Sequence, residues 1–311
     1  MSIASACRVC AGRLELIQRG GGSTYESSAF RPSHHRAGGH GDLYRCEGCG
    51  TIHQPSLPRG RELHELYRAM SDERYLSEEP GRRLMARRLL DLLEAHVPGG
   101  RLLDVGCGYG LLLDEARRRG YQVEGVELSV EGVRYARQRL GLRVREMALE
   151  EAALHDASSG DRYDAVLAID VLEHLDEPVA ALERLGALLA PGGALLITSP
   201  DPSSLAARMA GSRWWCYEPA HVCLIPRAKL RELIRETGLE LTEDVTAVQS
   251  FTLGYWLSCL SERGRGSGAR ALAYLASRLP RLMLTASLKD ERLLLARRVP
   301  LSAPSSCVPA G

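Results

Sequence analysis

Residues 101–110, with the sequence RLLDVGCGYG, decide how the rest of the chain is interpreted. The apolar run at residues 102–105 predicts a buried strand, and the leucine-rich stretch that begins at Leu111 predicts a helix. Between them lie three glycines at alternate positions: Gly106, Gly108 and Gly110. Glycine lets a backbone approach a bound molecule closely. A strand, a glycine turn and a helix in this order predict the nucleotide-binding edge of a Rossmann-like α/β sheet.

The residues around the glycines distinguish between nucleotide ligands. A dinucleotide fingerprint has the spacing G-x-G-x-x-G and places the pyrophosphate at the helix N-terminus. Here the third glycine comes one residue early, and Leu111 occupies a position that the fingerprint keeps small. Asp104 lies ahead of the glycines, at the end of the predicted strand. Its carboxylate would repel a pyrophosphate and attract a ligand that carries an ammonium group.

The pattern D-x-G-x-G-x-G at residues 104–110 resembles the first motif of class I methyltransferases. Their cofactor, S-adenosylmethionine, has an α-amino group and a sulfonium cation and has no phosphate. The resemblance implies that Asp104 binds the amine of the methionine moiety. It also implies that the turn contacts the cofactor through four residues: Gly106, Cys107, Gly108 and Gly110.

A second predicted strand, residues 121–126, leads to an acidic residue at the cofactor edge. Glu127 lies about twenty residues past the first glycine, where an acidic side chain can bind both ribose hydroxyls. Leu128 follows it and is also a predicted cofactor contact. Because NAD has the same ribose, Glu127 does not choose between the two cofactors. The alternative for Glu127 is a solvated carboxylate at a strand end.

Two further predicted strands, residues 142–146 and 163–169, complete the cofactor edge. In the family that this chain resembles, an acidic residue near the adenine follows the third strand. Here that acid is displaced or absent, so we predict that the backbone of Ala148 and Leu149 replaces it. Asp170 follows the fourth strand, and the resemblance places it nearest the sulfonium.

Two histidines are the candidate catalytic residues. His174 ends a VLEH segment that resembles the part of the family that lines the methyl-transfer site. His221 lies in residues 211–222, which resemble the stretch that covers the acceptor pocket, and we predict that the adjacent Trp214 and Trp215 lie outside the core. His221 is the first candidate for a general base. The structural alternatives are a helix-turn residue for His174 and a capping or core-edge residue for His221.

Two C-x-x-C pairs near the N-terminus predict a structural zinc site. The four predicted ligands are Cys7, Cys10, Cys46 and Cys49. Two alternatives remain open: a metal-free or redox pair, and a mixed site with a histidine. The candidate histidines are His34, His35, His40 and His53. The "RC-x-x-CG" ending resembles the zinc ribbon that precedes the catalytic domain in some bacterial methyltransferases.

Composition excludes several classes of function. The 311 residues include 40 Lys and Arg and 39 Asp and Glu, which gives a formal net charge of +1. This balance gives no basic field for a nucleic acid, so we expect no nucleic-acid partner. The N-terminus lacks an apolar signal core, and no apolar run reaches the length of a membrane span. Nine cysteines, of which five lie outside the C-x-x-C pairs, favour a reducing, cytoplasmic setting.

Residues 250–288 form an insertion before the last predicted strand. They contain two apolar segments, residues 251–260 and 269–284, that are separated by a glycine- and arginine-rich stretch. We predict a helical lid over the acceptor. The alternatives are a homodimer surface and a basic amphipathic contact with a membrane or a lipid-linked substrate.

Together these patterns predict an α/β fold with a Rossmann-like, seven-stranded, mostly parallel sheet. The predicted units are a zinc ribbon and linker (1–58), a class I methyltransferase domain with the helical insertion (59–300) and a tail (301–311). The resemblance implies an S-adenosylmethionine-dependent methyltransferase whose acceptor is a sugar, a quinone or a specialised metabolite, with a sugar or natural-product hydroxyl first. The alternatives are an NAD-dependent oxidoreductase and a non-catalytic zinc-ribbon protein that binds a partner.

Overall fold

The structure, a computed structural model, describes residues 6–21, 25–33, 39–160, 162–263, 274 and 282–299. The predicted tail, His34, His35 and most of the second apolar segment of the insertion lie outside the described residues. No helix in the described part of the chain combines the length and the apolar character that a membrane span needs.

Strands and helices alternate along most of the chain. The strands are β1 (Leu14–Gln18), β2 (Leu43–Cys46), β3 (Ile52–His53), β4 (Arg101–Val105), β5 (Gln122–Glu127), β6 (Val144–Glu146), β7 (Tyr163–Ile169), β8 (Leu189–Pro200), β9 (Cys223–Leu224), β10 (Leu239–Thr246), β11 (Gln249–Thr252), β12 (Met283–Ala286) and β13 (Glu291–Arg298). The helices are α1 (Arg61–Arg68), α2 (Glu73–Ser77), α3 (Glu79–Glu94), α4 (Leu111–Arg118), α5 (Val130–Leu140), α6 (Leu149–Ser159), α7 (Pro178–Ala187), α8 (Leu205–Ala210), α9 (Arg227–Glu236) and α10 (Leu253–Arg263).

The central sheet has seven strands in the order β10-β13-β8-β7-β4-β5-β6. The five strands from β8 to β6 are parallel, and β13 runs antiparallel between β8 and β10. The predicted seven-stranded, mostly parallel sheet is therefore confirmed. The parallel strands are apolar and buried because helices cover both faces. The chain changes direction across the sheet between β4 and β7, and such a switch point is where α/β sheets bind ligands.

A second sheet joins the N-terminal ribbon to the rest of the molecule. Its order is β1-β2-β3-β9, so the ribbon takes in a strand from far along the chain. Ile52 pairs with Leu224, and His53 pairs with Cys223. The loop before β9 carries His221, and the ribbon therefore supports the backbone next to this candidate catalytic residue.

The insertion differs in part from the prediction. The helix α10 confirms a helical insertion before the last strand, but β11 and β12 flank it as an antiparallel pair. Residues 251–252 and 283–284, predicted as parts of helices, are therefore strand residues. Apolar composition alone does not distinguish short helices from short strands, and the pairing of two distant segments decided the outcome.

The prediction for Trp214 was wrong. Its side chain is 2% exposed and packs in a small cluster with Leu43 and Leu224 of the ribbon sheet. Its indole nitrogen donates a hydrogen bond to Asp290 at 2.9 Å. A buried tryptophan needs such a partner for its N–H, and the pairing partner comes from a distant loop. Trp215 lies at the cavity described below.

Candidate active site

A cavity of about 1270 Å³ opens at the carboxyl ends of β4, β5 and β7. It is large for a ligand site, since most small-molecule pockets measure about 300–1,000 Å³. The cavity brings together nearly all of the predicted cofactor and catalytic residues. Those that line it are Asp104, Gly106, Cys107, Gly108, Glu127, Leu128, Ala148, Leu149, Asp170, His174 and His221.

The glycine turn is shaped by the need for positive φ angles. Gly106 and Gly108 have φ values of 71° and 54°, in the left-handed region that favours glycine. A Cβ on Gly106 would lie 2.7 Å from Val171, so this turn has no room for a side chain. Gly110 has a different role, because a Cβ there would lie 2.8 Å from Leu142. Gly110 packs α4 against its neighbours and is not among the residues that line the cavity.

Asp104 is a buried carboxylate at the end of β4. Its side chain is 3% exposed, and burial, with the nearby charge of Glu127, raises its pKa well above the usual value. Among the described residues no Lys or Arg forms an ion pair with Asp104. Burying a carboxylate without a partner is costly, and a cationic ligand in the cavity would supply the missing charge.

Glu127 is buried at the end of β5 and is held by the backbone. Its Oε2 accepts a hydrogen bond from the Gly108 N–H at 2.7 Å, and its Oε1 accepts one from the Ser129 N–H at 2.6 Å. The side chain is 9% exposed, and burial raises its pKa. The carboxylate is thus fixed beside the glycine turn and is not a solvated strand-end group.

Asp170 occupies a strained position after β7. Its φ is 54°, a left-handed conformation that is uncommon outside glycine. Thr198 of β8 holds it there, since its hydroxyl donates to the Asp170 carboxylate at 2.6 Å. In this conformation Asp170 lines the cavity.

His174 is a poor candidate for a general base. Its Nδ1 lies 2.8 Å from the Tyr67 hydroxyl oxygen and 3.1 Å from the carbonyl oxygen of Ala220. Burial, and then the nearby His221, lower its pKa to about 3. The ring is therefore neutral at physiological pH and accepts a proton weakly.

His221 is better prepared to accept a proton. Its ring lies next to that of His174, with the centroids 4.9 Å apart. Its Nδ1 is 2.7 Å from the carbonyl oxygen of Cys216. Because a carbonyl only accepts hydrogen bonds, Nδ1 must carry the proton. In the neutral ring the lone pair is then on Nε2, as a general base requires.

The cavity also contains residues that the sequence analysis did not assign. Tyr75 stacks on Tyr109 with ring centroids 4.9 Å apart, and the Arg82 guanidinium lies 3.6 Å from the Tyr75 centroid. Tyr67 also lines the cavity, and its hydroxyl contacts His174. No local motif marks these side chains, because their roles depend on contacts between distant segments.

The four ribbon cysteines converge on one point. Their sulfur atoms all lie within 4.8 Å of one another. The closest pairs are Cys10–Cys46 at 3.4 Å and Cys7–Cys49 at 3.6 Å. A tetrahedral zinc with Zn–S bonds of about 2.3 Å requires sulfur atoms about 3.8 Å apart. The donor set and the spacing therefore fit a closed zinc site.

The histidines proposed as alternative ligands lie outside the cysteine cluster where they are described. His53 Nε2 is 3.1 Å from Cys7 Sγ. At this hydrogen-bonding distance His53 supports a cysteine ligand and is not itself a ligand. His40 instead contacts Gly41 and Gln18. The cluster in the described residues thus contains only cysteine ligands.

Comparisons with known proteins agree with this geometry. Residues 75–244 match the family described as "Methyltransferase domain". The chain is 34% identical over 160 residues to a protein named "Ubiquinone biosynthesis O-methyltransferase" from Cereibacter sphaeroides, covering 48% of this chain and 64% of that protein. A protein of the same name from Xanthomonas campestris pv. campestris is 34% identical over 134 residues, covering 40% and 55%. The matches thus span less than two thirds of these relatives.

Among solved structures, the chain is similar to a SAM-dependent methyltransferase from Archaeoglobus fulgidus, with 20% identity and a TM-score of 0.48 over 73% of this chain and 100% of that one. The family match covers more than half of the 311 residues. The chain therefore belongs to the class I S-adenosylmethionine-dependent methyltransferase family.

Proposed function

We propose that this chain transfers a methyl group from S-adenosylmethionine to a hydroxyl group of a small molecule. One observation carries the proposal: the buried carboxylates of Asp104 and Glu127 face a cavity that also contains His221. Asp104 matches the positive charge of the cofactor, and Glu127 matches its ribose hydroxyls. His221 is a base on the side where an acceptor would bind.

Each residue has a defined task in this proposal. When bound, S-adenosylmethionine supplies an electrophilic methyl group and its own leaving group. Asp104 binds the amino group of its methionine moiety, and Glu127 binds the ribose hydroxyls. The backbone of Ala148 and Leu149 contacts the adenine. The protein then mainly aligns the acceptor with the methyl group.

We propose an oxygen acceptor because the relatives are named O-methyltransferases of ubiquinone biosynthesis. His221 accepts the hydroxyl proton through Nε2 as the oxygen attacks the methyl carbon. The acceptor class is a sugar, a quinone precursor or a specialised metabolite, in agreement with the volume of the cavity. Family membership argues against the NAD-dependent oxidoreductase, and measurable methyl transfer would exclude the non-catalytic alternative.

We also propose a structural zinc ion on the four ribbon cysteines, with the ribbon and linker at 1–58 and the methyltransferase domain at 59–300. Reduced thiols at this site favour the cytoplasm. A homodimer surface, or contact with a membrane or a lipid-linked substrate, remains a prediction for the insertion at 250–288.

The test of function is a screen of phenols, catechols, sugars and amines for a mass gain of one methylene in the presence of S-adenosylmethionine. One carboxylate, that of Glu173, lies close to His174 and His221, and divalent cations bind such a donor set. Each reaction is therefore run with Mg²⁺ and with EDTA. A wild-type protein that binds S-adenosylhomocysteine and methylates one class supports the proposal. Methylation of amines alone would contradict the oxygen acceptor.

His221→Ala is expected to lower kcat by about 10²–10⁴-fold, the usual contribution of a general base. Affinity for S-adenosylhomocysteine should stay within about twofold, since His221 lies on the acceptor side. Steady-state kinetics and calorimetry measure both. His96→Ala is the matched control, because His96 pairs with Glu243 at the end of α3, away from the cavity lining. Unchanged turnover in His221→Ala would remove it from the mechanism.

A further inference from the structure

The acceptor loop, residues 218–222, carries His221. A side chain of the ribbon holds it in place. Gln54 directly follows β3 and is 1% exposed. Its side-chain nitrogen lies 3.2 Å from the carbonyl oxygens of Glu218 and Pro219 and 3.1 Å from that of His221. An amide nitrogen has two hydrogens, so one is shared between carbonyls. A single buried side chain thus supplies the donors for three carbonyls of this loop.

The rest of Gln54 is fixed as well. Its side-chain oxygen accepts a hydrogen bond from the Gly41 N–H, within the ribbon. Its backbone N–H donates to the carbonyl of Val222 at 3.0 Å. The Val222 N–H in turn donates to the carbonyl of Glu173 at 2.8 Å. Gln54 therefore bridges the ribbon, the acceptor loop and the turn after β7.

The other side of the loop faces the cavity. The Ala220 carbonyl, which Gln54 does not contact, lies 3.3 Å from the Tyr67 hydroxyl and 3.1 Å from His174 Nδ1. Within the loop, His221 Nδ1 is fixed to Cys216. The direction of the His221 ring thus depends on how the backbone of residues 216–222 is held. Gln54 contacts three carbonyls of this stretch, those of Glu218, Pro219 and His221. Gln54 itself is not among the residues that line the cavity.

We propose that Gln54 is a positioning residue through which the ribbon fixes the direction of His221 toward the acceptor. The proposal deepens the proposed function and rests on it. It assigns a task to the ribbon in the methyltransferase: the cysteine knuckle at 46–49 anchors β3, β3 places Gln54, and Gln54 orders residues 218–222.

The test is Gln54→Met, which keeps the length and apolar volume of the side chain and removes both donors. We expect hydrogen exchange at the His221 and Val222 amides to accelerate at least tenfold. With the acceptor found by the screen, kcat should fall about tenfold or more, while S-adenosylhomocysteine affinity stays within twofold. Zinc content should be unchanged. Gln18→Met is the matched control, since Gln18 also donates from the ribbon, to the Ser212 carbonyl, but does not contact residues 218–222.

Unchanged exchange at these two amides would overturn the proposal, as would an equal effect in Gln18→Met. If Gln54→Met loses zinc, Gln54→Glu is measured instead, because it keeps an acceptor for Gly41 and lacks the donors. Zinc loss in both variants would show that Gln54 stabilises the ribbon alone and would also overturn it. The exchange measurement needs no acceptor. Failure of the wild-type protein to bind S-adenosylhomocysteine would therefore contradict the proposed function. The hydrogen-exchange rates would separately decide whether Gln54 orders the loop.

Discussion

Replacing Asp104 with asparagine is expected to weaken S-adenosylhomocysteine binding by at least about 100-fold, or about 3 kcal/mol. Removing one partner of a buried charge pair commonly costs about 2–5 kcal/mol. Asparagine keeps the shape of the side chain and removes the charge that would bind the amino group. Isothermal calorimetry at neutral pH measures the change directly.

The same substitution should not destabilise the ligand-free protein. Burial raises the pKa of Asp104. The Asp104 side chain therefore stabilises the folded state at low pH, where it is protonated, and this stabilisation is lost as pH rises through the folded-state pKa. At neutral pH the asparagine variant should therefore have an equal or higher Tm. Weaker binding together with a higher Tm would separate a binding role from a folding role.

Asp156→Asn is the matched control for this prediction. Asp156 is equally buried, but it pairs with Arg145 at 2.6 Å. Its loss should lower the Tm and leave S-adenosylhomocysteine affinity within about twofold, the reverse of the Asp104 pattern. If Asp104→Asn bound the ligand as tightly as the wild type, the assignment of the carboxylate to the cofactor amine would be wrong.

Cys46→Ser is expected to release the zinc and to abolish methyl transfer while cofactor binding survives. In zinc-finger peptides structural zinc contributes about 10–16 kcal/mol to folding, and a serine hydroxyl does not replace a thiolate ligand. Cys46 also ends β2, so the loss of the site should disturb the strand pairing that reaches β9. The acceptor loop would then lose its support, whereas Asp104 and Glu127 lie in the separate central sheet.

The measurements for this variant are metal content by emission spectroscopy, calorimetry with S-adenosylhomocysteine, and turnover. Cys307→Ser is the control, because Cys307 lies outside the two C-x-x-C pairs. Stoichiometric zinc in Cys46→Ser would contradict the four-cysteine site. Full turnover after zinc loss would contradict the link between the ribbon and the acceptor loop.

The central sheet could be predicted because its signals are local. The apolar strand before Gly106, the acid at Glu127 and the helix that starts after Ser129 each depend on neighbouring residues. Ser129 caps α5 by accepting a hydrogen bond from the Gly132 N–H, as its position in the sequence would indicate. The parallel order then follows from the alternation of strands and helices.

The acceptor side could be predicted only in part, because distant segments build it. Trp214 can be buried because its N–H donates a hydrogen bond to Asp290, which lies far along the chain. Gln54 has no motif of its own, and its three carbonyl partners follow more than 160 residues later. The β11–β12 pair likewise joins the two ends of the insertion. Periodicity and composition do not report such contacts.

The most direct measurement is a calorimetric titration of the wild-type protein with S-adenosylhomocysteine and, separately, with NADH. The buried carboxylate of Asp104 ahead of the glycine turn predicts binding of the first at one molecule per chain and no heat from the second. Binding of NADH with no response to S-adenosylhomocysteine would contradict the assignment of this cavity to a methyl donor.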